Sequence, residues 1–224
     1  RLTDDVDVIP CDKTPWRDHR HATVPECWSA SMVELRLLGQ FDVRVEGKSI
    51  LVPSRPAQTL LAYLALHSNL SHRREKLAGL LWPDSDEGSA RKYLRQALWQ
   101  IRKTLGPVDL IDADDISISF RPVPGFWLDV ATLEDALQGT CTVAELEAAV
   151  DVYRGELLPG FYDDWAVLER ERLEARFARV MLRFLDGLLA EELGGDALTW
   201  AERWSSLGHV PEAAYRALMV AHTR

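Results

Sequence analysis

The spacing of apolar residues changes period twice along the chain, and each change marks a boundary. From Val33 the apolar positions alternate, first Val33, Leu35 and Leu37, then Phe41, Val43 and Val45, with Gly39 at the break. Period two buries one face of a strand, so two short antiparallel strands are expected, with a third in KSILVP after a turn at Gly47. Helical spacing follows. Ser54 is placed to cap a helix reaching His67 that turns Leu60, Leu61, Leu64 and Ala65 inward. Ser71 is placed to cap a second, reaching Trp82, with Leu77, Leu80 and Leu81 inward. After the loop WPDSDEGS, a third helix over residues 86–105 carries a complete apolar stripe, Ala90, Leu94, Ala97, Leu98, Ile101 and Leu105, and ends at Gly106 and Pro107. LIDADDISISF and GFWLDV then read as strands, with an exposed turn at Asp114 and Asp115.

From Asp129 onward every patterned segment is helical: VATLEDALQ, VAELEAAVDVYRGELL, a long stretch over 163–193, DALTWAERWSSLG and PEAAYRALMVAHTR. The long stretch sets Trp165, Leu168, Phe177, Val180, Met181, Phe184, Leu188 and Leu189 on one side. Glu169, Arg170, Glu171, Arg172, Glu174 and Arg179 line the other, and their mixed signs describe a solvated face. Sheet, three helices and hairpin in that order make a winged helix-turn-helix over 32–128. Helices joined by Gly- and Pro-marked turns make an all-helical, tetratricopeptide-like domain of antiparallel pairs over 129–224. Residues 1–31 have no period and read as a tail or linker, with Met32 a natural start or domain boundary. The expected fold class is mainly α with an N-terminal α+β domain.

Charge sharpens this division. The chain of 224 residues has a formal net charge of -9, which argues at first against a nucleic-acid partner. Yet residues 54–106 hold 9 Lys/Arg against 4 Asp/Glu, whereas residues 129–224 hold 9 against 18. A basic segment is joined to an acidic one, a distribution that suits polyanion binding by the first. The basic segment culminates in the helix over 86–105, whose polar face carries Arg91, Lys92, Arg95, Gln96, Trp99, Gln100, Arg102 and Lys103 with no acidic residue after Glu87. Solvated helices gain from carboxylate partners one turn away, so these cations point to an anionic ligand, with a solvated basic face as the alternative. Trp99 has two readings: stacking on a sugar or thymine methyl, or packing on the neighbouring helical domain, which is favoured. Trp82 is expected to pack at the end of the second helix.

Catalytic patterns are absent from the sequence. It has no glycine loop with a phosphate-binding Lys, no GxGxxG after a strand, no nucleophile elbow and no HExxH. Cys11, His19, His21 and Cys27 fit no zinc spacing, and the Asp163–Asp164 pair and the aspartates 112, 114 and 115 read as a helix start and a turn. No enzyme activity, cofactor or metal is therefore expected. Three cysteines, Cys11, Cys27 and Cys141, form no disulfide framework, and no apolar run approaches a membrane span or signal peptide. A cytoplasmic protein without a membrane partner is expected.

LRLLGQFDVRVEGK, LLAYLALHSN leading to SHRREKLAGLLWPD, SARKYLRQALWQIRKTLG, LDVATLEDAL, YRGELLPGFYDDWAVLERERL and PEAAYRALMVAHTR, in this order, resemble transcriptional regulators of the Streptomyces antibiotic regulatory protein (SARP) type. The resemblance implies an OmpR-like winged helix followed by a bacterial transcriptional activation domain. It implies a regulator that binds direct repeats in double-stranded promoter DNA, in tandem or as a homodimer, and activates by contacting RNA polymerase. Residues 83–89 and the helical domain are the candidate surfaces for that contact. The helix over 86–105 becomes the recognition helix, with Arg91, Lys92, Arg95, Gln96 and Gln100 as base readers. Arg102, Lys103, Arg55, Arg73 and Arg74 become candidate phosphate contacts, and Arg121 a minor-groove contact from the wing. Two rivals accompany this reading. One is a protein-interaction module whose winged helix does not bind DNA; the other is the N-terminal input region of a larger multidomain regulator, since the chain stops where further helices often follow.

Overall fold

A computed structural model describes residues 33–68, 70–207 and 219 of the chain. The expected tail over 1–31, Met32 and most of the expected last helix, PEAAYRALMVAHTR, lie outside the described residues. The alternating segments form the expected meander: β1 (Val33–Arg36) pairs antiparallel with β2 (Asp42–Val45), and β2 with β3 (Lys48–Ile50). Glu46 and Gly47 both have positive φ between the paired Val45 and Lys48, the two-residue turn that matches strand twist. Gly39 is more than a break. Its φ is +85°, and a Cβ there would stand 3.0 Å from the Arg154 backbone carbonyl, so a side chain is excluded on both counts.

Helix α1 (Arg55–Leu66) begins as expected at Ser54, whose hydroxyl accepts from the Ala57 N–H at 3.4 Å. The second helix differs from the expectation. Ser71 opens a strand, β4 (Ser71–Arg73), and α2 (Arg74–Leu81) starts after it with no side-chain cap. The reason is tertiary: β4 pairs antiparallel with β6 (Ser117–Phe120), so a ladder satisfies the backbone there. Leu80 is 40% exposed rather than inward, while Leu77 and Leu81 are buried. Asp86 caps α3 (Glu87–Leu105) by accepting from the Ser89 N–H at 3.0 Å, and all six residues of the expected apolar stripe are buried against α1 and α2. Half-buried Trp82 meets the Tyr93 ring at 6.1 Å beside this core.

The wing is the hairpin of β5 (Ile111–Ala113) and β6. Its turn is held by Asp114, whose carboxylate accepts from the N–H groups of Ile116 at 2.7 Å and Ser117 at 2.6 Å. These donors keep Asp114 below the usual carboxylate range. The strand in GFWLDV, β7 (Phe126–Leu128), leaves this sheet and pairs in parallel with β1. The sheets are thus ordered β3-β2-β1-β7 and β4-β6-β5, with β4 entering between α1 and α2 and β7 returning to the first sheet after the wing.

Helices α4 (Asp129–Asp135), α5 (Val143–Asp151), α6 (Asp164–Ala190) and α7 (Gly194–Ser206) follow. Thr142 and Glu145 form a reciprocal capping box at the start of α5. Between α5 and α6, Tyr153 stacks on Phe177 at 3.9 Å, with Trp204 of α7 edge-on to Phe177 at 6.2 Å. The expected helix over VAELEAAVDVYRGELL stops at Asp151; its remainder turns back, and Leu157 forms a β-bridge with Leu38. Nor is the charged face of α6 simply solvated. Arg170 is only 17% exposed in its side chain and pairs with Glu156. It also donates to the carbonyls of Leu157, Leu158 and Phe161 at 3.0 to 3.1 Å. Leu168, expected inward, is 67% exposed.

The passage from β7 into α4 is fixed by one carboxylate. Asp129, 2% exposed, accepts from the Leu37 N–H at 2.7 Å, the Leu38 N–H at 2.8 Å and the Val130 N–H at 2.8 Å. Burial outweighs these donors and pushes its carboxyl up to about 6. One hydrophobic core runs through both the winged-helix and the helical segments, from Val33 to Trp204.

Candidate nucleic-acid interface

The buried stripe of α3 fixes which residues face outward. With Ala90, Leu94, Ala97, Leu98, Ile101 and Leu105 in the core, helical spacing sets Lys92, Arg95, Gln96, Trp99 and Lys103 along the opposite side, and all five are exposed. At 1.5 Å per residue this row extends over about 16 Å. Among the described residues, no carboxylate pairs with Lys92, Arg95 or Lys103. Lys103 places its ammonium 4.8 Å from the Trp99 ring centroid. Arg73, exposed at the end of β4, faces Ser117 of the wing across the ladder.

The other expected contacts are engaged within the chain. Arg91 pairs with Glu87 and, at 3.1 Å, with Glu75 of α2, so the polar face of α3 does receive carboxylates at its N-terminal end. Gln100 is half-buried and accepts from the Ser54 hydroxyl. Arg102 donates to the Ile111 carbonyl of the wing at 3.2 Å. Arg74 donates to the Asp114 carbonyl at 2.6 Å, and Arg121 pairs with Asp112. Arg55 turns toward the helical segment, its guanidinium 3.4 Å from the Phe161 ring centroid and donating to the Gly160 carbonyl. Apart from Glu87, one turn before Arg91, these partners are brought together by the fold, so a linear pattern of charges carries no sign of them.

Trp99 departs from the favoured expectation of packing on the helical domain: it is 59% exposed and stands in the middle of the basic row. The signal was present in its helical phase, which sets it directly opposite the buried stripe.

Among the described residues, no three or more His, Cys, Asp or Glu side chains are grouped to hold a metal ion, and Cys11, His19, His21 and Cys27 lie outside them. No described helix is long and apolar enough to cross a membrane.

Residues 130–224 match the family model for the bacterial transcriptional activator domain. No curated protein matches the chain. Among solved structures it is similar to Mycobacterium tuberculosis EmbR in complex with a low-affinity phosphopeptide, at 17% sequence identity and a TM-score of 0.70. That similarity covers 86% of this chain but 55% of the EmbR chain. At this identity the likeness is one of fold, and it extends across both the winged helix and the helices behind it. The chain thus has an OmpR-like winged helix-turn-helix fold followed by helices that match the bacterial transcriptional activator domain.

Proposed function

We propose that this chain is a sequence-specific regulator of transcription, an activator that binds promoter DNA through α3 and the wing. The observation that carries the reading is the exposed row Lys92, Arg95, Gln96 and Lys103 on the third helix of a winged helix-turn-helix, without a carboxylate partner for its cations among the described residues. In the major groove, Arg95 is suited to guanine O6 and N7, Gln96 to adenine N6 and N7, and Lys92 to either guanine acceptors or phosphate. Lys103 and Arg73 are suited to phosphates, which position the protein without reading sequence. The intramolecular bonds of Arg91, Gln100, Arg102, Arg74, Arg121 and Arg55 assign them first to supporting this surface. In this reading the chain divides between residues 128 and 129, and the helical segment contacts a second protomer on direct repeats and RNA polymerase, in the cytoplasm. Neither a cofactor nor catalysis enters this reading. A larger protein is compatible with it, since the similarity spans only 55% of EmbR.

Fluorescence anisotropy of the chain against its own upstream promoter fragment and a shuffled fragment tests the proposal. The promoter should be preferred. With about four phosphates neutralised, affinity should fall roughly a hundredfold between about 50 and 200 mM salt. Arg95→Ala should lose about 1–3 kcal/mol on the promoter and little on the shuffled DNA. Equal losses on both would remove Arg95 as a base reader, and absence of binding to either would favour a protein-interaction module.

A further inference from the structure

We infer that Trp99 reads thymine, its indole edge contacting the C5 methyl group in the major groove. The inference rests on the DNA-binding reading above and adds to it a specificity-determining residue that is apolar. Its basis is the place of the side chain: Trp99 is three residues after Gln96 and four after Arg95, at the centre of the row between Lys92 and Lys103, with 59% of its surface open. A solitary exposed apolar residue needs no explanation, but a tryptophan surrounded by cations and an amide on the one row aimed at DNA does. The Lys103 ammonium, 4.8 Å from the ring centroid, steadies the indole on its C-terminal side by cation–π attraction. The ring therefore presents a preset apolar surface beside two polar base readers. In the major groove, the apolar feature that distinguishes one base pair from the others is the thymine methyl.

The contact has a test that polar readout does not share. Sequences are first enriched by the intact chain from a random duplex library, and each thymine of the winning duplex is then replaced by uracil, which removes only the methyl. Wild-type affinity should fall about fourfold at the one or two thymines that meet Trp99, the effect of exposing one methyl-sized group. Trp99→Ala should be indifferent to the same replacements, Trp99→Phe should retain part of the sensitivity, and Arg95→Ala should retain all of it. Because Trp99 is on the surface, circular dichroism and melting of the variants should match wild type. Uracil without effect at every position, or equal sensitivity in Trp99→Ala and wild type, would overturn the inference. Uniform weakening of all duplexes by Trp99→Ala without any uracil effect would move the ring to the sugar-phosphate backbone and overturn it as well. Enrichment of no sequence would overturn the DNA-binding reading itself, and this inference with it.

Discussion

Asp129 makes stability depend on pH in a direction opposite to that of most carboxylates. A salt-bridged carboxylate gains stability as pH rises; here burial wins, and the carboxyl is raised from 3.8 to about 6 in the fold. Its proton is then held more tightly in the folded chain than in the unfolded one. The stabilising contribution is complete below about pH 4 and is lost as pH rises through about 6, a change of about 3 kcal/mol. Asp129→Asn keeps an oxygen within reach of the Leu37 and Leu38 N–H groups but cannot titrate. The misfit of its amide group adds an offset that does not vary with pH. Urea unfolding of both proteins across this range isolates the carboxyl: the wild-type free energy minus that of the variant should decline by about 3 kcal/mol with rising pH. A flat difference, or one that rises with pH, would show that the backbone donors dominate and that the site is built for the ionised form.

Two further variants test how the segments are held together. Arg170→Ala removes the donor shared by the carbonyls of Leu157, Leu158 and Phe161. It should lower unfolding stability by about 2–4 kcal/mol in urea titrations, with Arg170→Lys recovering only part because an ammonium lacks the guanidinium fork; a loss under about 0.5 kcal/mol for the alanine variant would refute the clamp. Arg55→Ala, which loses the Phe161 face and the Gly160 carbonyl, should cost about 1 kcal/mol and lower the melting temperature while leaving the salt dependence of DNA binding unchanged. A shallower salt dependence in this variant would return Arg55 to the phosphate contacts.

What the sequence reveals here depends on whether a signal is local. The α3 stripe is legible because a long amphipathic helix repeats the same spacing over many turns, and its six apolar residues are the six that are buried. Strand β4 is not, because three polar residues show no alternation and acquire their conformation from Ile118 and its neighbours on β6. Likewise GFWLDV reads as a strand, but nothing local selects β1 as its parallel partner. The same distinction divides the candidate contacts. Glu87, one turn before Arg91, already separates it from Arg95 in the sequence, but only the fold brings Glu75, 16 residues away, against Arg91. Trp99 is the opposite case: its size favours burial, whereas its phase against the stripe sets it outside.

These tertiary partners also explain how the reading helix is seated. Gln100 of α3 accepts from the hydroxyl of Ser54, which caps α1. Beside it, Arg55 lies on Phe161 and donates to the Gly160 carbonyl. The Phe161 carbonyl in turn accepts from Arg170 of α6, which also holds Leu157, the residue bridged to Leu38 after β1. From β1 the path returns through Asp129 to the start of α4. These contacts therefore run as one path from α3 through α1 and α6 to α4, over a core that is itself continuous. Breaking one link leaves the others in place, so α3 is presented by the helical segment as well as by its own winged helix. A partner that displaced α6 would have to carry α1 with it or break the Arg55 and Arg170 contacts, and either route acts on the face that holds Lys92, Arg95 and Trp99 through α1, not across open solvent.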